Sequence, residues 1–116
     1  MATKTLLDSK HIAQPDERRE MAHGVMEVVN LPGVSVTRAT LEPGWRWSTD
    51  VAPTVGTRSC QVRHQGYIIS GRIHVRMDDG AETELEPGDA FVIDPGHDAW
   101  VVGQQPCVNV DFSTTG

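Results

Sequence analysis

The chain has 116 residues and a formal net charge of −6. This length predicts one domain that can bury a single core without disulfides, and the acidic balance argues against nucleic acid or an anionic membrane surface as a partner. No stretch approaches the length of a membrane span, and the first residues lack the apolar core of a signal peptide. We therefore expect a cytoplasmic protein whose two cysteines, Cys60 and Cys107, stay reduced.

The first part of the chain differs from the rest. Residues 1–22 are polar and weakly patterned, so we assign them to an N-terminal arm in front of a single barrel domain over 23–116. The run Pro15–Met21 begins with a proline and acids, which would allow about one helical turn. We favour an arm that is extended or docks on another element.

Short alternating or apolar runs from His23 onward predict β-strands. In chain order they are 25–29, 34–41, 58–71, 72–77, 81–85, 90–93, 99–102 and 108–112. Trp45-Arg46-Trp47 is expected to be extended with both indoles on one side, and 50–57 is expected to be a loop. Eleven glycines and seven prolines punctuate these runs. About eight short strands with frequent turns predict an all-β jelly roll or small barrel.

The stretch Arg58–Gly71 carries the side chains best suited to metal binding or catalysis. Read as a strand, it alternates between two faces, and one face holds Arg58, Cys60, Val62, His64, Gly66 and Ile68. Cys60 and His64 then share a face with small or aliphatic neighbours. Such a face is typical of the inside of a small barrel, where it offers two potential soft ligands.

Two blocks of the chain resemble the sequence motifs of the cupins, a superfamily of double-stranded β-helix (jelly-roll) barrels. Gly71 matches the glycine that closes the first motif, and a strand and an Asp-Gly hairpin follow it as in the family. The second motif is represented by Gly88-Asp89, Phe91–Ile93 and Pro95-Gly96-His97. The resemblance covers residues 40–114 and is strongest to small bacterial single-domain cupins. It implies the fold and leaves the reaction open, because cupins include dioxygenases, isomerases and binding modules.

The family's metal ligands are replaced in this chain. When the chain is aligned with the motifs, Arg58 and Cys60 take the places of the two histidines of the first motif, and His64 takes the place of its glutamate. Ala99 takes the place of the histidine of the second motif. His97 lies two residues before that last position. We therefore predict a rebuilt metal site formed by Cys60, His64 and His97.

The chemistry of this donor set favours zinc. A thiolate with two imidazoles suits zinc better than the carboxylate-containing sets of non-haem iron, although iron, nickel and manganese stay open. Asp98 would orient His97. Arg58, if it points inward, would favour an anionic ligand such as a carboxylate and would lower the pKa of Cys60.

Each of these residues also has a structural interpretation. A buried cysteine behaves as a small hydrophobic residue, which would account for Cys60 and Cys107 alike. His97 could be a turn residue bonded to the backbone, with its direction left open by the adjacent Gly96. His74 is expected to face solvent or a partner subunit.

Aromatic side chains form a second candidate cluster, made up of Trp45, Trp47, Tyr67 and Trp100. Indoles at a barrel mouth would suit an aromatic or ring-shaped ligand. The alternative is that they plug the barrel or cover a dimer interface. We favour a plug or interface for Trp45, and a pocket for Trp47 and Trp100.

Three functions follow as hypotheses. The chain is a cupin that binds a divalent metal and a small organic ligand, a binding or sensing module without catalysis, or a structural domain with a filled barrel. We expect a homodimer in each case, with the arm able to cross to the second subunit.

Overall fold

The computed structural model describes residues 5–114, which form nine strands and two single-turn helices. In chain order they are β1 Glu17–Met21, β2 Gly24–Leu31, β3 Val34–Leu41, α1 Trp47–Asp50, α2 Ala52–Val55, β4 His64–Ser70, β5 Arg72–Met77, β6 Glu82–Leu85, β7 Ala90–Ile93, β8 His97–Val102 and β9 Cys107–Thr114. Within this part of the chain, no helix is long and apolar enough to cross a membrane.

The strands form two antiparallel sheets. A six-stranded sheet has the order β1-β2-β3-β9-β4-β7, and a three-stranded sheet has the order β6-β5-β8. Both contribute to one core, which includes Ala39, Leu41 and Ile68 from the larger sheet and Ile73, Val75 and Val101 from the smaller. The all-β jelly-roll prediction is confirmed.

Gly71 turns the chain from the larger sheet into the smaller one. Its φ is +72°, and a Cβ there would lie 2.1 Å from the carbonyl oxygen of Pro106. Only glycine combines this backbone conformation with such a close approach. The glycine that closes the first motif is therefore required by the crossing between the sheets.

Part of the N-terminal arm belongs to the larger sheet. β1 pairs with β2 from Glu17↔Val28 to Met21↔Gly24, so this run is extended and docks on another element, as the favoured interpretation had it, and does not form a helical turn. As a strand, β1 supplies hydrogen-bond partners to the backbone groups along the edge of β2, whereas a helical turn would leave these groups to bond with water. The sheet thus begins ahead of the boundary at residue 23.

The stretch before β4 is not a continuous strand. Residues 58–63 are irregular apart from an isolated bridge between Cys60 and His97, so the single alternating face expected over 58–71 does not form. The indoles before it also differ from expectation, because Trp47 begins α1. Asp50 Oδ2 accepts a hydrogen bond from the Arg46 N–H at 3.0 Å at the start of this helix, and Pro53 occupies the first turn of α2.

Candidate metal site and cavity

A cavity of about 460 Å³ lies between the two sheets. Most of its wall is apolar and includes Leu41, Trp45, Trp47, Ile68, Val75 and Phe91. A polar cluster formed by Cys60, His64 and His97 also lines it. We call these three residues the triad.

Backbone pairing brings the triad together. His64 and His97 are the first residues of β4 and β8, and Cys60 lies in the irregular segment between α2 and β4. The Cys60 N–H donates to the His97 carbonyl at 2.7 Å, and the Gly96 N–H donates to the Cys60 carbonyl at 2.7 Å. The three potential ligand atoms consequently lie within 4.8 Å of one another.

The direction of His97 is set by its position at the start of a strand. Its side chain is 3 % exposed and lies on the buried face of β8 together with Ala99. The two positions share a face because the chain is already extended at His97. The histidine therefore lines the cavity although the family's usual ligand position holds alanine.

Hydrogen bonds orient both imidazoles of the triad. His97 Nδ1 donates to the backbone carbonyl of Asp94 at 2.8 Å, which leaves Nε2 with a free lone pair. His64 Nδ1 lies 2.7 Å from Asp111 Oδ2, while its Nε2 lies 3.6 Å from Cys60 Sγ. A metal-binding histidine usually forms a hydrogen bond from its other ring nitrogen to a carbonyl or carboxylate, which fixes the orientation of the ring.

Asp111 is a site residue that the sequence reading did not identify. It lies on β9 and lines the cavity, and its Oδ1 is buried without a hydrogen-bond partner. The available signal was the alternation Cys107-Asn109-Asp111 along the last strand, which puts a carboxylate on the core-facing side. A carboxylate at such a position needs a partner, and His64 is that partner.

Hydrogen bonds within the cluster shift two pKa values in opposite directions. Burial raises the pKa of the Cys60 thiol, but hydrogen bonds with His64 and His97 outweigh it and lower the pKa from 9.0 to about 6. Burial disfavours a charged His64, but the hydrogen bond to Asp111 prevails and, with Cys60, raises its pKa from 6.5 to about 9. Without metal, Cys60 and His64 therefore form a thiolate–imidazolium pair at neutral pH.

We expect the metal-free protein to show this pair in its alkylation kinetics. The lowered pKa of Cys60 means that its thiolate is present above pH 6 and is lost as the pH falls through 6. The rate of Cys60 modification by iodoacetamide, followed by peptide mass spectrometry, should be level above about pH 7 and fall about tenfold per unit below pH 6. In His64→Ala the midpoint should move toward 9.0, and a wild-type midpoint near that value would contradict the assignment.

Two residues predicted for the pocket lie outside it. Arg58 is exposed in the irregular segment and does not line the cavity, because the strand that would have turned it inward begins only at His64. Tyr67 is 42 % exposed and lies on the side of β4 away from the buried Ile68. The structure thus corrects both assignments.

Trp100 and Asp98 also lie outside the cavity. Trp100 is stacked on His74, with ring centroids 4.7 Å apart, and the Arg46 guanidinium lies 4.3 Å from the Trp100 ring centroid. Asp98 accepts hydrogen bonds from the Ser48 N–H at 3.0 Å and hydroxyl at 2.8 Å. It therefore holds the start of α1 and does not orient His97.

Of the four aromatic residues in the candidate cluster, Trp45 and Trp47 line the cavity. Trp47 is 7 % exposed and Trp45 is 4 % exposed, and both form part of its wall. The Trp45 indole N–H donates to Met21 Sδ at 3.4 Å. Trp45 is thus held by β1, the strand that the sequence reading had placed in the arm.

Comparisons with known proteins agree with this architecture. The family profile described as Cupin domain matches residues 57–112, whereas no curated protein matches the chain. A protein of Rhizobium leguminosarum superposes with a TM-score of 0.68 at 15 % identity, covering 97 % of this chain and 100 % of the other.

Two enzymes of known structure share the fold. Ectoine synthase from P. lautus has a TM-score of 0.68 at 12 % identity, covering 93 % of this chain and 78 % of the other. The polyketide cyclase RemF from Streptomyces resistomycificus has a TM-score of 0.64 at 17 % identity, covering 94 % and 80 %. Identities this low concern the fold alone. Together with the family profile, they show that this chain is a small protein of the cupin superfamily.

Proposed function

We propose that this protein binds one zinc ion, or another late first-row divalent metal, through the triad, and that its cavity holds a small organic ligand beside the metal. The observation that supports this proposal is the convergence of one sulfur and two imidazole groups within 4.8 Å of one another, on the wall of a cavity of about 460 Å³.

The residues of the triad fit a metal by their chemistry. Metal binding needs a deprotonated thiol and neutral imidazoles. The pKa of Cys60 at about 6 supplies the thiolate at neutral pH, whereas His64, with a pKa of about 9, releases its proton when the metal binds. The hydrogen bond from His97 Nδ1 to Asp94 leaves Nε2 available. When bound, zinc would supply a Lewis acid, and three protein ligands are the number that catalytic zinc sites use.

The cavity wall favours a ligand with an apolar or aromatic body and a polar group at one end. Trp45, Trp47 and Phe91 offer flat apolar surface, and the triad is the place for the polar or anionic end. RemF and ectoine synthase carry different activities on one fold. The fold therefore does not select a reaction, and the proposal covers binding alone.

Cobalt substitution tests the proposal directly. The metal-free protein is titrated with Co²⁺, and the near-ultraviolet absorption of a thiolate–cobalt bond is followed together with the metal content by elemental analysis. We expect about one equivalent, with the thiolate band present in wild type and absent in Cys60→Ser. Cys107→Ser is the matched control, since Cys107 is also buried and free but lies outside the triad. Substoichiometric binding, or a band that survives Cys60→Ser, would overturn the proposal.

A second candidate is a ligand-binding module that works without metal. The hydrogen-bonded series Cys60–His64–Asp111 is complete without an ion, and the open cavity is available in either case. The same cavity argues against the third hypothesis of a filled barrel. Failure of the cobalt titration, together with binding of an aromatic carboxylate such as 2-naphthoate, would favour this second function.

A further inference from the structure

A buried amide group lies in the cavity, on the inner face of the six-stranded sheet. Asn109 is 8 % exposed and lines the cavity. It lies on β9 between Cys107 and Asp111, and these three alternate residues share the core-facing side of the strand. The triad does not include Asn109, so the proposed metal binding leaves this side chain without a role.

The amide of Asn109 has little to bond with inside the protein. Its Nδ2 lies 4.0 Å from Cys107 Sγ, and burial raises the pKa of that thiol, so the sulfur stays neutral and is a weak acceptor. Within the described residues 5–114, no donor bonds Asn109 Oδ1, and this oxygen is not sealed from the cavity. Burial of an amide with so weak a partner disfavours folding. The fold alone therefore does not account for an asparagine here.

The surroundings of Asn109 are apolar. Its neighbours across the sheet are Ala39 on β3 and Ile68 on β4, and both are buried. In the part of the chain that the structure describes, the buried polar side chains are those of Ser59, His97 and Asn109, and none of them is an acid, a lysine or an arginine. A charged group of a ligand would find no opposite charge beside Asn109. The amide therefore suits an uncharged polar group.

Strand register places this amide deeper in the cavity than the level at which His64 is held. Asp111, the partner of His64, pairs with Gly66, whereas Asn109 pairs with Ile68. Residues two apart along a strand lie about 7 Å apart, and β9 leads from its exposed end through Asp111 and Asn109 to the fully buried Cys107. A ligand with one end at the triad thus needs an elongated body to reach Asn109.

We propose that Asn109 recognises an uncharged hydrogen-bonding group, a carboxamide or a hydroxyl, at the deep end of the cavity ligand. The inference rests on the proposed function in one respect, namely that the cavity holds a small organic ligand whose acidic end lies at the triad. A side-chain amide offers both donors and an acceptor, so it pairs reciprocally with another carboxamide. The ligand is then an elongated acid with an apolar middle and a neutral polar tip.

A pair of matched compounds tests the proposal. 4-Carbamoylbenzoate and 4-isopropylbenzoate share an acidic end, a ring and the shape of the tip, and they differ in whether the tip forms hydrogen bonds. Their dissociation constants are measured by calorimetry with the cobalt-loaded and the metal-free protein. We expect wild type to prefer 4-carbamoylbenzoate at least about tenfold, since a site with a buried polar group rejects a ligand that leaves this group unpaired. In Asn109→Leu the preference should reverse.

Asn30→Leu is the matched control, because it makes the same change at an exposed asparagine on β2 that does not line the cavity. This variant should keep the wild-type preference. Failure of the metal site would appear as absent cobalt binding with the ratio of the two dissociation constants preserved in the metal-free protein. Equal affinities in wild type, a ratio that Asn109→Leu leaves unchanged, or binding of neither compound overturns the role of Asn109.

The stability of the ligand-free protein gives a second, independent test. Asn109→Leu replaces a poorly bonded amide by an apolar side chain of similar volume among apolar neighbours, so the midpoint of urea denaturation should rise. A lower midpoint would show that the amide supports the core through Cys107, and it would overturn the inference. Asn109→Ala removes the amide without adding bulk. Its preference between the two compounds should also disappear, which keeps the ligand test decisive if the leucine variant does not fold.

Discussion

Replacing His64 by alanine should lower the affinity for Zn²⁺ at least about 100-fold, since losing a residue that merely supports a ligand already costs 10–100-fold. The change removes one imidazole of the triad and the partner of Asp111, whose carboxylate lies 2.7 Å from His64 Nδ1. Affinity is measured by competition with a chromophoric chelator. We predict the largest effect on metal binding for His64, because its replacement removes a metal ligand and also leaves the Asp111 carboxylate without its partner.

His74→Ala is the matched control for this prediction. His74 is also a partly buried strand histidine, but it stacks on Trp100 at a centroid distance of 4.7 Å and is not part of the triad. Its replacement should leave the zinc affinity within about twofold of wild type, as expected for independent sites. If His64→Ala and His74→Ala bind zinc equally well, the triad is not the metal site.

Replacing Gly66 by alanine should destabilise the fold by about 3 kcal/mol or more, at the upper end of overpacking effects. A Cβ at this position would lie 1.9 Å from the Val110 carbonyl oxygen and 2.9 Å from Asp111 Oδ1. Backbone cannot rotate away as a side chain does, so β4 and β9 would have to separate. Urea denaturation of the metal-free protein measures the loss.

Gly24→Ala provides the comparison for Gly66. Gly24 also lies in a strand without a positive φ, and an added Cβ would lie 3.1 Å from Leu41 Cδ2 and 3.3 Å from the Thr40 carbonyl oxygen. The side-chain terminus can shift and the carbonyl needs to move only slightly, so we expect a change below about 1 kcal/mol. An equal effect of the two substitutions would show that the close approach of β4 and β9 is not what requires glycine.

Gly66 also connects the fold with the site. Because it has no side chain, β9 can approach β4 closely enough for Asp111 to reach His64. The urea experiment should therefore be paired with the iodoacetamide profile of Cys60. In Gly66→Ala protein that stays folded, we expect the midpoint to move upward from about 6, since His64 loses the carboxylate that favours its charged form.

Much of the architecture could be predicted from local patterns. Glycines and prolines between short alternating runs predicted the strands, and Asp78-Asp79-Gly80 predicted the hairpin between β5 and β6. The strand over Glu17–Met21 was missed because its residues are polar on both faces. Such a strand owes its existence to the free edge of β2 and not to its own periodicity.

The sequence predicted which residues form the triad, but not the directions of the side chains around it. The likeness to the two cupin motifs selected Cys60, His64 and His97 before any coordinates, and the structure brings these three together. Arg58 was misplaced because strand alternation was extended across a segment that is irregular. Trp100 was assigned to the pocket because indoles suit a barrel mouth, whereas the structure stacks it on His74. Alternation assigns faces only where the backbone is extended.

By itself, the sequence determined the all-β jelly-roll class, and its likeness to the cupin motifs selected a thiol and two imidazoles as the candidate site. Turn residues and alternation are local properties of the chain, so they can be read without coordinates. Only the tertiary structure decided that Asp111 supports His64, that Asp94 supports His97, and that Arg58 faces away. The first fact depends on pairing between β4 and β9, which are distant in sequence. The other two depend on the backbone conformation of the turn before β8 and of the irregular segment before β4, which the alternation of residue types does not encode.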